Sequence, residues 1–102
     1  MKSETIHLKK QAIAFRDDAK EIEKQARKFS KKSPTVYLDF GEVKFVSRSF
    51  ADELINVQEK LNEKGVSLRL RNTASNVKQM ITLVRMTRKK ILQQMGSFKI
   101  YG

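Results

Sequence analysis

Val36-Tyr37-Leu38-Asp39-Phe40, then Gly41-Glu42-Val43-Lys44, then Phe45-Val46-Ser47-Arg48-Ser49-Phe50-Ala51-Asp52-Glu53-Leu54: within this stretch the chain changes periodicity. The first five residues are apolar on both faces, which predicts a central strand covered on both sides. From Phe50 the apolar residues Leu54, Val57 and Leu61 follow at helical spacing, widened by Ala51 and Ile55, so the strand hands over to an amphipathic helix. Ser49 with Asp52 three positions on reads as a capping box, and Asp52 and Glu53 suit the positive end of that helix. Gly65 is placed to end it as a left-handed residue.

Working outward toward the N-terminus, Thr5-Ile6-His7-Leu8-Lys9 alternates with period two. It predicts a strand over residues 4–9 with Ile6 and Leu8 inward and His7 outward. Ala12, Phe15, Ala19, Ile22, Ala26 and Phe29 form one helical stripe, giving a helix over residues 11–31 that Pro34 stops. Toward the C-terminus, Val66, Leu68 and Leu70 alternate with Ser67, Arg69 and Arg71, a strand with one apolar and one basic face. Val77, Met80, Ile81 and Val84 start another helical stripe behind a cap at Asn72 or Thr73. Unbroken continuation would put Arg88 on the buried stripe between Val84 and Ile91. A break is therefore expected near Met86 and Thr87, then a short helix using Ile91, Leu92 and Met95, ended by Gly96, and a last strand at Phe98 and Ile100. Strands alternating with helices give the fold class α/β: one domain over residues 1–102 with a mainly parallel four-stranded sheet and about four helices.

The charge is large and uneven. The chain of 102 residues carries a net +11. Residues 1–63 hold 13 basic and 11 acidic residues, whereas residues 64–102 hold 9 basic and no acidic ones. Such a basic end suits an anionic partner or simply a solvated surface. There is no Cys and a single His, which argues against zinc or haem. No apolar run is long enough to span a membrane or to form a signal-peptide core, so a cytoplasmic protein is expected.

Open α/β sheets bind ligands beyond the carboxyl ends of their strands, which directs attention to the turns after Phe40 and Arg71. Asp39, Glu42, Ser47, Arg48, Ser49, Asn72, Thr73 and Ser75 stand there, with Gly41 but no glycine-rich phosphate cradle. His7 has no positioned nucleophile, and Asp17 and Asp18 diverge on a helix, so no catalytic set, cofactor or metal site emerges and a non-enzymatic protein is expected. Asp39 reads as an acceptor for the amides of the following turn. Arg48 is the oddest residue: a cation at a positive helix end is mildly unfavourable, by about 0.3–1 kcal/mol. It pairs with Asp52 or contacts a partner.

The stretch from Val36 to Leu54 resembles the STAS fold family, which includes anti-sigma factor antagonists. It is more closely similar to a STAS-like family of unknown function, through Leu38-Asp39-Phe40 and Ser49-Phe50-Ala51-Asp52-Glu53. The resemblance implies a regulatory docking module that acts on a separate protein, with a histidine-kinase-like ATPase as the implied partner class. It implies a contact surface around Asp39, Ser47, Arg48, Ser49 and Asp52. It does not bring the family's serine phosphoswitch, because Arg48 stands where the target serine is expected and Ser47 where the aspartate is. The extra first strand and long final helix of fuller family members have no counterpart in this reading. The competing expectation is nucleic-acid binding through Arg69, Arg71, Lys78, Arg85, Arg88, Lys89 and Lys90, the basic cluster of the C-terminal part.

Overall fold

A computed structural model describes the backbone of residues 3–101 and the side chains of residues 3–88. The elements run β1 (Glu4–His7), β2 (Ala12–Ile13), α1 (Arg16–Ser30), β3 (Thr35–Asp39), β4 (Phe45–Val46), α2 (Arg48–Glu63), β5 (Ser67–Arg71) and α3 (Ser75–Tyr101). Strands β1, β3 and β5 form a parallel sheet with β3 in the middle. Beyond the ends of β1 and β3 the same two chain segments pair again as β2 and β4, Ala12 beside Phe45 and Ile13 beside Val46. Among the described residues the sheet is therefore three strands plus a two-stranded extension with three helices, in place of the expected four strands and four helices.

That extension explains why the first helix starts late. Ala12 and Ile13 satisfy their backbone through pairing with β4, a tertiary interaction that overrides the helical spacing of the local sequence. Helix α1 begins only at Arg16, and Phe15, expected on its buried stripe, is instead the exposed N-cap residue. Asp17 and Asp18 occupy the first turn, where the helix dipole favours anions.

The core lies on one face of the sheet. Val36, Leu38 and Phe40 on the central strand are fully buried beside Ile6 and Leu68, and the helices supply Ala19, Ile22, Phe50, Leu54, Val57 and Leu61. The other face is open, contrary to the reading of β3 as covered on both sides. Thr35, Tyr37 and Asp39 alternate with the buried residues and are only half-buried. The Arg71 guanidinium lies 3.9 Å from the centre of the Tyr37 ring, so a surface arginine rather than a helix shields that aromatic. Gly65 ends α2 with φ 79°, as its position required.

Helix α3 is continuous from Ser75 to Tyr101, so the break near Met86 and Thr87 and the terminal strand at Phe98 and Ile100 do not form, and Gly96 lies within the helix. The long final helix that the sequence had not revealed is present. Arg88 occupies the stripe position without ending the helix because its guanidinium reaches polar groups on α2. It donates to the Asn56 side-chain oxygen and to the backbone oxygen of Asp52 (3.5 Å), and its Nε lies 3.9 Å from the Asp52 carboxylate. Buried Val77, Ile81 and Val84 hold the preceding turns against the core. The expected packing of Ile91, Leu92 and Met95 lies outside the described side chains.

Removing this anchor leaves polar groups of α2 unpaired. Arg88→Ala should lower the urea-unfolding free energy by about 1–2 kcal/mol, while Lys78→Ala on the outer side of α3 should change it by less than about 0.5 kcal/mol. Equal small effects would mean that α3 is not held to α2 through Arg88.

Candidate functional site

The start of α2 is built around one hydroxyl. Ser47 is the N-cap, with extended backbone angles, and its Oγ accepts from the Phe50 N–H (3.1 Å). The same hydroxyl donates to the Ala14 carbonyl oxygen (2.6 Å), and the Ser47 N–H donates to the Ile13 oxygen (3.0 Å). The helix start is thereby pinned to the segment that leads into α1. This corrects the capping box assigned to Ser49 and Asp52: the cap lies two residues earlier, and the first turn of α2 holds no acidic residue. An uncapped Phe50 N–H would leave one of the helix's orphan donors unmatched.

Arg48 and Ser49 stand exposed in that first turn, and neither side chain makes a hydrogen bond or ion pair with the described residues. The pairing of Arg48 with Asp52 is not formed. Asp52 turns instead toward Arg16 of α1 (3.6 Å) and Arg88 of α3 (3.9 Å), tying the three helices together. Of the residues assigned to a docking surface, Asp52 is thus already engaged within the domain. Arg48 remains an unpaired cation at the positive end of a helix.

Two aromatics that sequence reading placed elsewhere or passed over flank this start. Phe15 is 72% exposed and follows Ala14, whose carbonyl Ser47 holds. Phe45 is 49% exposed and lies two residues before Ser47 on β4. Phe45 carries no local sign beyond standing with Val46 as an apolar pair ahead of α2. Phe15 gave no sign, because its spacing fits the buried helical stripe. Phe15, Phe45, Arg48 and Ser49 are all exposed, on the two chain segments that the Ser47–Ala14 hydrogen bond and the β2–β4 pairing hold together. Large exposed apolar groups beside a cation are suited to protein contact, where aromatic residues and Arg carry much of the binding energy.

Asp39 lies apart from them, at the carboxyl end of the sheet. Its Oδ1 accepts from the Gly41 N–H (2.8 Å) and the Asn72 amide (3.2 Å), and its Oδ2 lies 3.3 Å from His7 Nδ1. This is the turn-closing role expected from its position. The Gly41 hydrogen bond first, then that of Asn72, holds the Asp39 carboxyl below its ordinary range, with the charges of His7 and Arg71 acting the same way. A Cβ at Gly41 would lie 3.1 Å from Asp39 Oδ1, so a larger residue there would displace the carboxylate by a few tenths of an ångström. Asn72 makes the opposite turn with a left-handed φ of 58°, a conformation that Asn tolerates.

Among the described residues, the cations expected to bind an anion are spread over the open sheet face and α3. Arg69 and Arg71 lie on the open sheet face, whereas Lys78 lines a shallow depression on the outer side of α3. Arg85 donates to the Gln58 side-chain oxygen and Arg88 to Asn56, so both are turned toward α2. The side chains of Lys89 and Lys90 lie outside the described residues. Among the described residues no group of three or more His, Cys, Asp or Glu could hold a metal ion, and no helix is long and apolar enough to cross a membrane.

The model of one protein family, the STAS domain, matches residues 11–98. No curated protein and no solved structure matches the chain.

The hydrogen bonds to Asp39 fix the sign of a pH effect. A depressed folded pKa contributes stability above the unfolded carboxylate value, about 3.9, and that contribution disappears as pH falls through the folded pKa. Asp39→Asn should therefore be less stable than the parent protein at pH 6–7, with the gap closing as pH falls below about 4. Urea unfolding of both proteins across that range checks this, and a gap that is constant with pH would deny the carboxylate its role.

Proposed function

The chain belongs to the STAS domain family, and from that premise we propose that it works as a regulatory docking module whose contact surface is the start of α2 with its flanking aromatics. STAS domains as a family are regulatory modules that mediate protein–protein interaction. The single observation that carries the local assignment is the exposure of Phe15 and Phe45 beside an unpaired Arg48. Arg48 stays at a helix end where its charge is mildly unfavourable, and in the folded chain nothing among the described residues compensates it. A carboxylate or phosphate on the partner supplies that compensation, while Phe15 and Phe45 supply apolar area.

The phosphoswitch of the sigma-factor antagonists is not carried by this surface. Ser47 already uses its hydroxyl as donor and acceptor, and Arg48 replaces the serine that such a switch needs. The module acts without modification at those positions, on a separate protein of the histidine-kinase-like ATPase class. The dispersal of the C-terminal cations speaks against nucleic-acid binding, because Arg85 and Arg88 are turned toward α2 rather than presented to a phosphate backbone. The protein is non-enzymatic and cytoplasmic in this reading.

Affinity capture from the native host with the parent chain and with Arg48→Glu as baits tests the proposal. The parent chain should enrich a kinase-like ATPase, and purified partner should bind Arg48→Glu or Phe15→Ala at least about 10-fold more weakly, in keeping with loss of a central anchor. Undiminished binding by both variants, with their thermal melts unchanged, would remove this surface from the site.

A further inference from the structure

The two outer edges of the sheet are treated differently. On β5 the outward Leu68 carbonyl accepts from the Gln58 side-chain amide (2.9 Å), and Arg69 and Arg71 add charge on the same strand, both common ways of blocking an edge. On β1 the Leu8 N–H donates to the Asp39 oxygen (3.1 Å). Glu4, Ile6 and Leu8 therefore direct their backbone groups to β3, and those of Thr5 and His7 point away from the sheet. No described backbone or side-chain group bonds this outer edge. Beside it a cleft of about 290 Å³ opens between the edge and α1, with Ile6, Leu8, Ile13 and Ile22 among its lining and Lys10 and Asp18 at its side.

We propose that β1 pairs with β1 of a second copy of this chain, antiparallel about a two-fold axis, in the register that sets His7 opposite its own copy. The charge pattern selects both the occupant and the register. With His7 at the axis, Glu4 faces Lys10 of the second copy and Ile6 faces its Leu8, both pairs on the helix-covered side of the sheet, while Thr5 faces Lys9. Thr5 and His7 then present the backbone groups that β1 directs outward, and Lys9, two residues past the end of β1, extends the ladder opposite Thr5 of the second copy. Moving the axis to Ile6 puts Glu4 against Leu8 and loses the opposite-charge pair. A parallel pairing of two identical edges cannot be two-fold symmetric, because a parallel ladder sets each residue that directs its groups across the gap opposite one that directs them away, whereas the antiparallel two-fold closes the contact. Lys10, although bonded to Asp18 in the single chain (3.1 Å), keeps its side chain 68% exposed and reaches Glu4 of the second copy. The contact uses none of the residues assigned to partner docking, so it joins two modules while leaving each docking surface intact.

The absence of Cys makes the register directly testable. His7→Cys should form a disulfide-linked dimer on mild oxidation, because facing residues of an antiparallel hydrogen-bonded pair have Cα atoms about 5.5 Å apart. Thr5→Cys should remain monomeric under the same conditions, since its copy would lie roughly 13 Å away, beyond disulfide reach. Sedimentation equilibrium should show reversible dimerisation of the parent chain. Glu4→Lys should raise the dissociation constant about 10-fold, and adding Lys10→Glu to it should restore the parent value. Cross-linking of Thr5→Cys in preference to His7→Cys, a parent chain that stays monomeric at millimolar concentration, or failure of the double reversal to restore association would each overturn the proposal.

Discussion

Only one face of the β1–β3–β5 sheet is buried, and the rest of the molecule is arranged around that asymmetry. A parallel sheet normally carries helices on both faces. Here α1 and α2 pack on the side of Val36, Leu38 and Phe40, with α3 held against α2, and the opposite side keeps Thr35, Tyr37 and Asp39 in partial contact with solvent. Burial of the first set is the main favourable term, since fully burying side chains of this size contributes on the order of 1.5–3 kcal/mol each. With the helices gathered on one side, their starts converge beyond the strand ends. The β2–β4 extension brings the ends of the two connecting segments together there, and the Ser47 hydroxyl fixes them.

Much of this was legible in the chain. The spacing of Phe50, Leu54, Val57 and Leu61, widened by Ala51 and Ile55, located α2 and its buried face, and alternation located β1 and β5. Pro34, Gly65 and Asp39 behaved as their local chemistry demands. What the sequence hid are features set by residues far apart along it. Ala12 and Ile13 look helical until Phe45 and Val46 pair with them, and Phe15 leaves the buried stripe for the same reason. Arg88 looked like a helix breaker because a stripe position was equated with an apolar environment, but Asn56 and Asp52 lie close enough to satisfy it. Tyr37 read as a core residue because an aromatic does not announce that an arginine will cover it.

The candidate site was half legible. Ser47, Arg48 and Ser49 were singled out from the chain and indeed sit together at an exposed helix start, but the roles within the group moved. Ser47 is committed to structure, Asp52 is drawn into the helix interfaces, and Arg48 is left unpaired. The apolar half of the surface, Phe15 and Phe45, depends on the β2–β4 pairing and had no local signal strong enough to reveal it. The basic C-terminal part illustrates the limit of counting charge: net charge speaks of long-range attraction, whereas Arg85 and Arg88 serve packing between α2 and α3.

The most direct measurement is amide chemical-shift mapping of the isotopically labelled chain during titration with a purified histidine-kinase-like ATPase domain from the same host. Docking through the start of α2 requires the largest changes at Phe15, Phe45, Arg48 and Ser49, with Tyr37, Arg69 and Arg71 on the open sheet face little affected. Changes confined to the open sheet face, with the start of α2 unmoved, would contradict it.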